Sequence, residues 1–149
     1  MKKSLTFFVL CAALVIIGLP RQTFPRDDRI MFPIDDALST PAAQNKLKGI
    51  DFYFGNQKHP VILQDFGEFS SNKKTNAFNK SDKQACEWVF LSAMLALQER
   101  AKSLGANAVI NIKSNYRNDE VVSETEYQCG AGHMFAGVAL KGRIVKLSK

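Results

Sequence analysis

The side chains best suited to metal or redox chemistry are few in this 149-residue sequence: Cys11, Cys86, Cys129, His59 and His133. Cys11 lies inside an apolar N-terminal run, so a processed chain would hold Cys86 and Cys129 alone. Two thiols in an oxidising compartment invite a bridge. Closing that loop would contribute about 4 kcal/mol in the chain-entropy account. The other arrangement is two separate buried thiols. A metal would draw on His59, Cys129 and His133, with Cys86 added if no bridge forms, and the Cys129 to His133 spacing suits chelation. Against a metal stand the lack of any Cys-x-x-Cys or His-x-x-x-His pair and the fact that a bridged Cys129 has no thiolate to offer. The expectation is therefore a Cys86–Cys129 disulfide, no metal centre and no cofactor, with His59, Cys129 and His133 as the residues to inspect.

Catalytic patterns are scarcer still. No serine sits in a nucleophile elbow, and two histidines on turns are a thin basis for acid–base work. Glu124 and Glu126 fall on one face of a predicted strand, where they would hold a cation, meet the lysines of another subunit or simply face water. No G-x-x-x-x-G-K-[ST] pattern is present to cradle a nucleotide. No catalytic residue is assigned, and the chain is read as not an enzyme.

The elements that must position these residues belong to one ordinary domain, since 46% hydrophobic and 23% charged residues describe neither a disordered nor a fibrous chain. Lys2 and Lys3 precede the uncharged, mostly apolar run Leu5 to Leu19, the anatomy of a secretory signal and short for a permanent span. Residues 1–20 are thus expected to be a signal peptide. Ile17 to Arg21 lacks a clean pair of small residues for cleavage, which leaves an inner-membrane anchor through residues 5–19 as the alternative. Leu10 stands where a lipoprotein site before Cys11 would want a small residue. Residues 21–29 read as a flexible lead-in and residues 30–149 as a single domain.

Removing residues 1–20 lowers the net charge from +6 to +4. Lys46, Lys48, Lys58, Lys73, Lys74, Lys80 and Lys83 concentrate in the middle of the chain. They do not alternate with exposed aromatics as a nucleic-acid footprint would, so neither nucleic acid nor nucleotide is expected as a partner. Membrane contact is expected only through an uncleaved leader.

Ile30 to Phe32 predicts a short strand, and Ser39-Thr40-Pro41 predicts a helix start running to about Leu47, closed by Gly49. Ile50, Phe52 and Phe54 alternate as a strand, with Pro60 to Leu63, Phe66 and Phe69 as its hairpin partner. Ser70 to Lys80 is polar and reads as an exposed loop. The strongest local signal is a helix over Asp82 to Leu104. Ser81 and Gln84 form a capping box, Cys86, Val89, Phe90, Ala93, Leu97, Ala101 and Leu104 make an apolar stripe widened by Trp88, Leu91 and Leu95, and Gly105 supplies the stop. Beyond it, Ala108 to Lys113 and Val121 to Cys129 alternate as two paired strands, Gly130-Ala131-Gly132 makes a turn, and Met134 to Leu147 completes the sheet. Gly137 and Gly142 mark bulges or close approaches. The whole predicts an α+β fold: an antiparallel β-meander covered by one long helix, with a short additional N-terminal helix.

Several of these stretches carry a resemblance. The run Cys86 to Leu104 with Gly105-Ala106-Asn107-Ala108-Val109, the Glu/Thr/Tyr strand and Gly137-Val138-Ala139-Leu140-Lys141-Gly142 resemble the small heavy-metal-binding superfamily. They are more distantly similar to the outer-membrane lipoprotein sensor of the Rcs envelope-stress phosphorelay. Phe52-Tyr53-Phe54-Gly55, Lys58-His59-Pro60, Lys73 to Phe78 and Ser123 to Tyr127 resemble small exported bacterial proteins often labelled "excinuclease ATPase subunit". The resemblance spans Phe52 to Leu147. The ATPase label is rejected, because the phosphate cradle is missing and a leader opposes a cytoplasmic repair role. The resemblance implies a periplasmic or secreted, stress-related binding module that meets an envelope protein or assembles with itself through sheet edges. The alternative is a periplasmic protein that binds a metal or small ligand. This chain departs from the Rcs sensor in having two cysteines rather than four outside the leader and no lipobox.

Overall fold

The computed structural model describes residues 25–149; the predicted leader and the first part of the lead-in lie outside them. The chain runs β1 (Asp28–Pro33), α1 (Ile34–Leu38), α2 (Pro41–Lys46), β2 (Asp51–Phe54), β3 (Ile62–Asn76), α3 (Asp82–Ser103), β4 (Ala108–Tyr116), β5 (Asp119–Val121), β6 (Glu126–Ala131) and β7 (Phe135–Leu147). The fold is α+β, a strand-rich curled sheet with three helices among the described residues.

β7 organises the sheet. Along one edge it pairs antiparallel with β3, from Ile62 opposite Leu147 to Asn76 opposite Phe135. Along the other edge two strands share it in succession: β4 from Ala108 opposite Val145 to Ser114 opposite Leu140, then β6 with Gly130 opposite Gly137 and Ala131 opposite Ala136. β1 extends the sheet from β6, while β2 and β5 both lie on β4.

This corrects the predicted meander in three places. The expected β2–β3 hairpin does not form; β2 runs parallel to β4, and β3 and α3 supply the long crossover that a parallel pair requires. Of the two strands expected to pair after α3, only the short start of the second, β5, pairs with β4, while the remainder, β6, pairs with β7. The expected strand Val121 to Cys129 is two strands, because the Ser123 hydroxyl accepts hydrogen bonds from the Thr125 and Glu126 N–H groups and turns the chain between β5 and β6.

The predicted loop Ser70 to Lys80 is strand as far as Asn76. An edge strand buries only alternate side chains, and here the inward positions are Ser71 and Thr75, so the apolar signal is lost although the ladder is intact. The lead-in is also shorter than expected, since β1 begins at Asp28 and Arg26 is already tied to Asp28 and Asp82.

Near the N-terminus there are two short helices rather than one. Pro33 leads into α1 with Asp35 and Asp36 in its first turn; the Thr40 hydroxyl then accepts from Ala43 N–H at the start of α2, with Pro41 in its first turn. α3 has 22 residues, about 33 Å of helix, and Ser81 Oγ accepts from Gln84 N–H at 3.2 Å. It packs against β7, β3 and β6. Cys86, Val89, Phe90, Ala93, Met94, Leu97 and Ala101 are buried in the main core with Val109, Ile112, Tyr127, Val138 and Ile144. Trp88, expected to widen the apolar stripe, is 53% exposed with Lys46 Nζ over its ring at 5.5 Å. A second, smaller cluster of Ala108, Ile110, Val145 and Leu147 packs with Tyr53. Asn111, at φ 50°, sits at the register break that turns Ile112 to the main-core face with Val109, where the predicted alternation had placed it with Ala108 and Ile110.

Candidate functional site

Cys86 on α3 and Cys129 on β6 are both fully buried and joined, with Cα atoms 5.9 Å apart and sulfurs at 2.06 Å. Helix and strand spacing place Phe90 and Tyr127 beside them, and these rings stack with centroids 4.1 Å apart. Such a bond is consistent with an oxidising, extracytoplasmic compartment.

The metal candidates are not gathered. His59 lies against Tyr53, ring centroids 5.7 Å apart, with Nδ1 2.8 Å from the Pro60 carbonyl oxygen. His133 is exposed in the β6–β7 turn, and Cys129 is committed to its bond. Among the described residues no three His, Cys, Asp or Glu side chains converge as a donor set. Glu124 and Glu126 are exposed, Glu124 before β6 and Glu126 at its first position.

One exposed region between β3, β7, β4 and β5 carries a row of ion pairs. Arg143 binds Asp65; Lys141 lies 2.8 Å from Glu68 and 2.9 Å from Glu120; Lys113 lies 2.8 Å from Glu120. Hydrogen bonds from Lys141 hold the Glu68 carboxyl below its ordinary range, and those from Lys113 and Lys141 do the same for Glu120. Their two carboxylates in turn raise Lys141 to about 12. These charges satisfy one another and fasten neighbouring strands; they leave no poised acid or base.

At the far end of β4 the Tyr116 ring rests on the facing glycines of β6 and β7. A Cβ on Gly130 would come within 2.1 Å of that ring, and one on Gly137 within 3.3 Å. The Tyr116 hydroxyl donates to Asp27 at 2.8 Å, and Asp27 pairs with Arg117. Burial, then the Asp27 contact, pushes the phenol above its ordinary value. Beside the ring lies a recess of about 280 Å³ lined by Arg26, Lys74, Arg117, His133, Met134 and Phe135, among others. The close approach expected at Gly137 is thus present, and so is that at Gly142, where a Cβ would come within 2.7 Å of Val109; Gly130 and Ala131, expected in a turn, lie in β6 instead, so Gly130's part in the floor is not legible in the sequence.

The remaining feature is backbone rather than side chain. β3 has fifteen residues and pairs with β7 along one edge; among the described residues no strand pairs with its other edge. Register breaks occur between Ile62 and Gln64 and between Asp65 and Glu68, whereas Phe69 to Asn76 runs unbroken against Gly142 to Phe135. No family model, curated protein or solved structure matches the chain, so the functional reading rests on this geometry.

Proposed function

We propose that the chain is a non-enzymatic exported envelope protein that acts as a binding or self-assembling module through the free edge of β3. The observation that supports it is the unbroken, one-sided stretch Phe69–Asn76. A strand paired on one side presents a row of backbone donors and acceptors to any incoming strand, and strand addition satisfies them. Its sequence narrows the partner. Two copies of this edge meeting about a two-fold axis would bring Lys73 and Lys74 near one another at the centre of the stretch, and like charges facing across strands are destabilising. An acidic strand fits better. The chain carries one in β5, where Asp119 pairs with Arg29 and Glu120 with Lys113 and Lys141; among the described residues β5 pairs only with β4, and docking it on the β3 edge would exchange part of these ion pairs for contacts with Lys73 and Lys74. A contact between two different surfaces of identical chains propagates into rings or filaments.

The apolar run Leu5 to Leu19 behind Lys2 and Lys3, together with the cystine, favours a periplasmic or secreted location. The stress-related role follows from the Rcs resemblance alone. Among the described residues the metal form of the alternative has no converging donors to favour it; the small-ligand form has the recess beside Tyr116.

Native mass measurement of the oxidised protein, with capture of co-purifying proteins from envelope extract, tests the reading. The expected result is a multiple of the monomer mass or a defined envelope partner, lost in Lys73→Glu, whose exposed side chain leaves the core untouched. A monomer with no partner whose Phe69–Asn76 amides on the free edge exchange as fast as those of loops would overturn it.

A further inference from the structure

The geometry points to a membrane-facing end of the folded domain: an apolar trio, Phe78, Met134 and Phe135, ringed by basic side chains and built to rest on an anionic lipid surface. The three side chains are 58%, 55% and 62% exposed. They come from segments more than fifty positions apart, and the sheet brings them together. Ala77 N–H donates to the Met134 carbonyl at 2.9 Å, and Asn76 is the register partner of Phe135. Lys80 Nζ donates to the Asn76 carbonyl at 2.9 Å, while Lys74 and His133 line the recess beside Phe135.

Charge supports a bilayer over a neutral apolar partner. The acids at this end are already paired, Asp28 and Asp82 with Arg26, and Asp27 with Arg117. Lys74 and Lys80 have no carboxylate partner among the described residues. Exposed aromatic and methionine side chains beside uncompensated lysines match the boundary between headgroups and acyl chains, where anionic lipid attracts the lysines and the apolar groups leave water.

The position of the preceding chain agrees. Pro25 and Arg26, the first described residues, line the same recess as Met134 and Phe135. The apolar run ends at Leu19, and the intervening residues can span at most roughly 20 Å when fully extended. A membrane holding that run therefore lies within reach of this end of the domain. The contact proposed here belongs to the folded domain itself; it shares Lys74 and Asn76 with the β3 edge but does not require a strand to pair there.

Amide hydrogen exchange on the protein as isolated from the envelope, read for segments 76–80 and 132–136, tests the contact whether or not the leader is retained. With vesicles containing phosphatidylglycerol, exchange in both segments should slow several-fold. It should slow less with phosphatidylcholine alone. Replacing the trio by Phe78→Ser, Met134→Ser and Phe135→Ser should abolish the protection, and Lys73→Glu should leave it in place. Equal exchange with and without anionic vesicles would overturn the proposal. So would protection that rises with protein concentration in vesicle-free buffer, which would assign the patch to a second copy.

Discussion

The rings of Phe90 and Tyr127 stack with centroids 4.1 Å apart, one helical turn along α3 and two residues along β6 from the Cys86–Cys129 bond. Positions 86 and 90 share a helix face, and positions 127 and 129 share a strand face. The covalent tie and the aromatic contact are therefore adjacent fastenings between the same two elements.

Removing the bond with Cys86→Ala and Cys129→Ala should lower the unfolding free energy by about 4 kcal/mol, from the loop entropy restored to the unfolded chain. Phe90→Ala should cost a further 3–5 kcal/mol or so through the lost packing and residual cavity. Urea titrations of the parent, the two variants and their combination check these values. Because the sites touch, the combined loss should differ from the sum of the separate losses.

Tyr127 is 1% exposed, and its hydroxyl has no hydrogen-bond partner among the described residues. Burial, then the nearby Glu87 and Asp36 carboxylates, pushes its ionisation far above the ordinary range, so the ring stays neutral at physiological pH. Tyr127→Phe keeps the stack and removes a buried unpaired polar group. Thermal unfolding should show a variant as stable as the parent or more so, by up to about 1 kcal/mol.

Gly130→Ala should destabilise by about 1–3 kcal/mol, the usual range for overpacking, because its Cβ would fall within 2.1 Å of the Tyr116 ring. Tyr116→Ser removes that obstacle. In a double-mutant cycle by chemical unfolding, Gly130→Ala should therefore cost much less in the Tyr116→Ser background.

The ion-pair row predicts acid sensitivity. Asp65, held down by the Gly67 N–H and then by Arg143, joins Glu68 and Glu120 in having a folded ionisation below its ordinary value of 3.8, against 4.5 for the two glutamates. A carboxyl depressed in the folded state stabilises fully above its unfolded value and loses that contribution as pH falls through the folded one. The urea midpoint should thus begin to drop as the pH falls below about 5. Glu68→Gln with Glu120→Gln should flatten the slope. High salt should weaken the same contribution, since the groups are exposed.

What the sequence determined by itself is mostly what is local. The ends of α3 were legible from Ser81, Gln84 and Gly105, and its buried face from the spacing of Cys86, Val89, Phe90, Ala93, Leu97 and Ala101, because each helical hydrogen bond closes within four residues. The alternation of β2 was readable for a similar reason, as was the choice of Cys86 and Cys129 as the thiols available outside the predicted leader; that of β4 held only as far as Ile110, because the break at Asn111 puts Ile112 on the face of Val109. Tertiary structure alone decided the partners. β3 pairs with β7 across some sixty to eighty-five positions of chain, and its polar half shows no apolar period because only Ser71 and Thr75 turn inward. The glycine floor under Tyr116, the free edge of β3 and the gathering of Phe78 with Met134 and Phe135 all depend on which distant strand supplies each ladder. Strand hydrogen bonds are made with residues far along the chain, so the identity of the partner is settled by which faces the whole molecule can bury together.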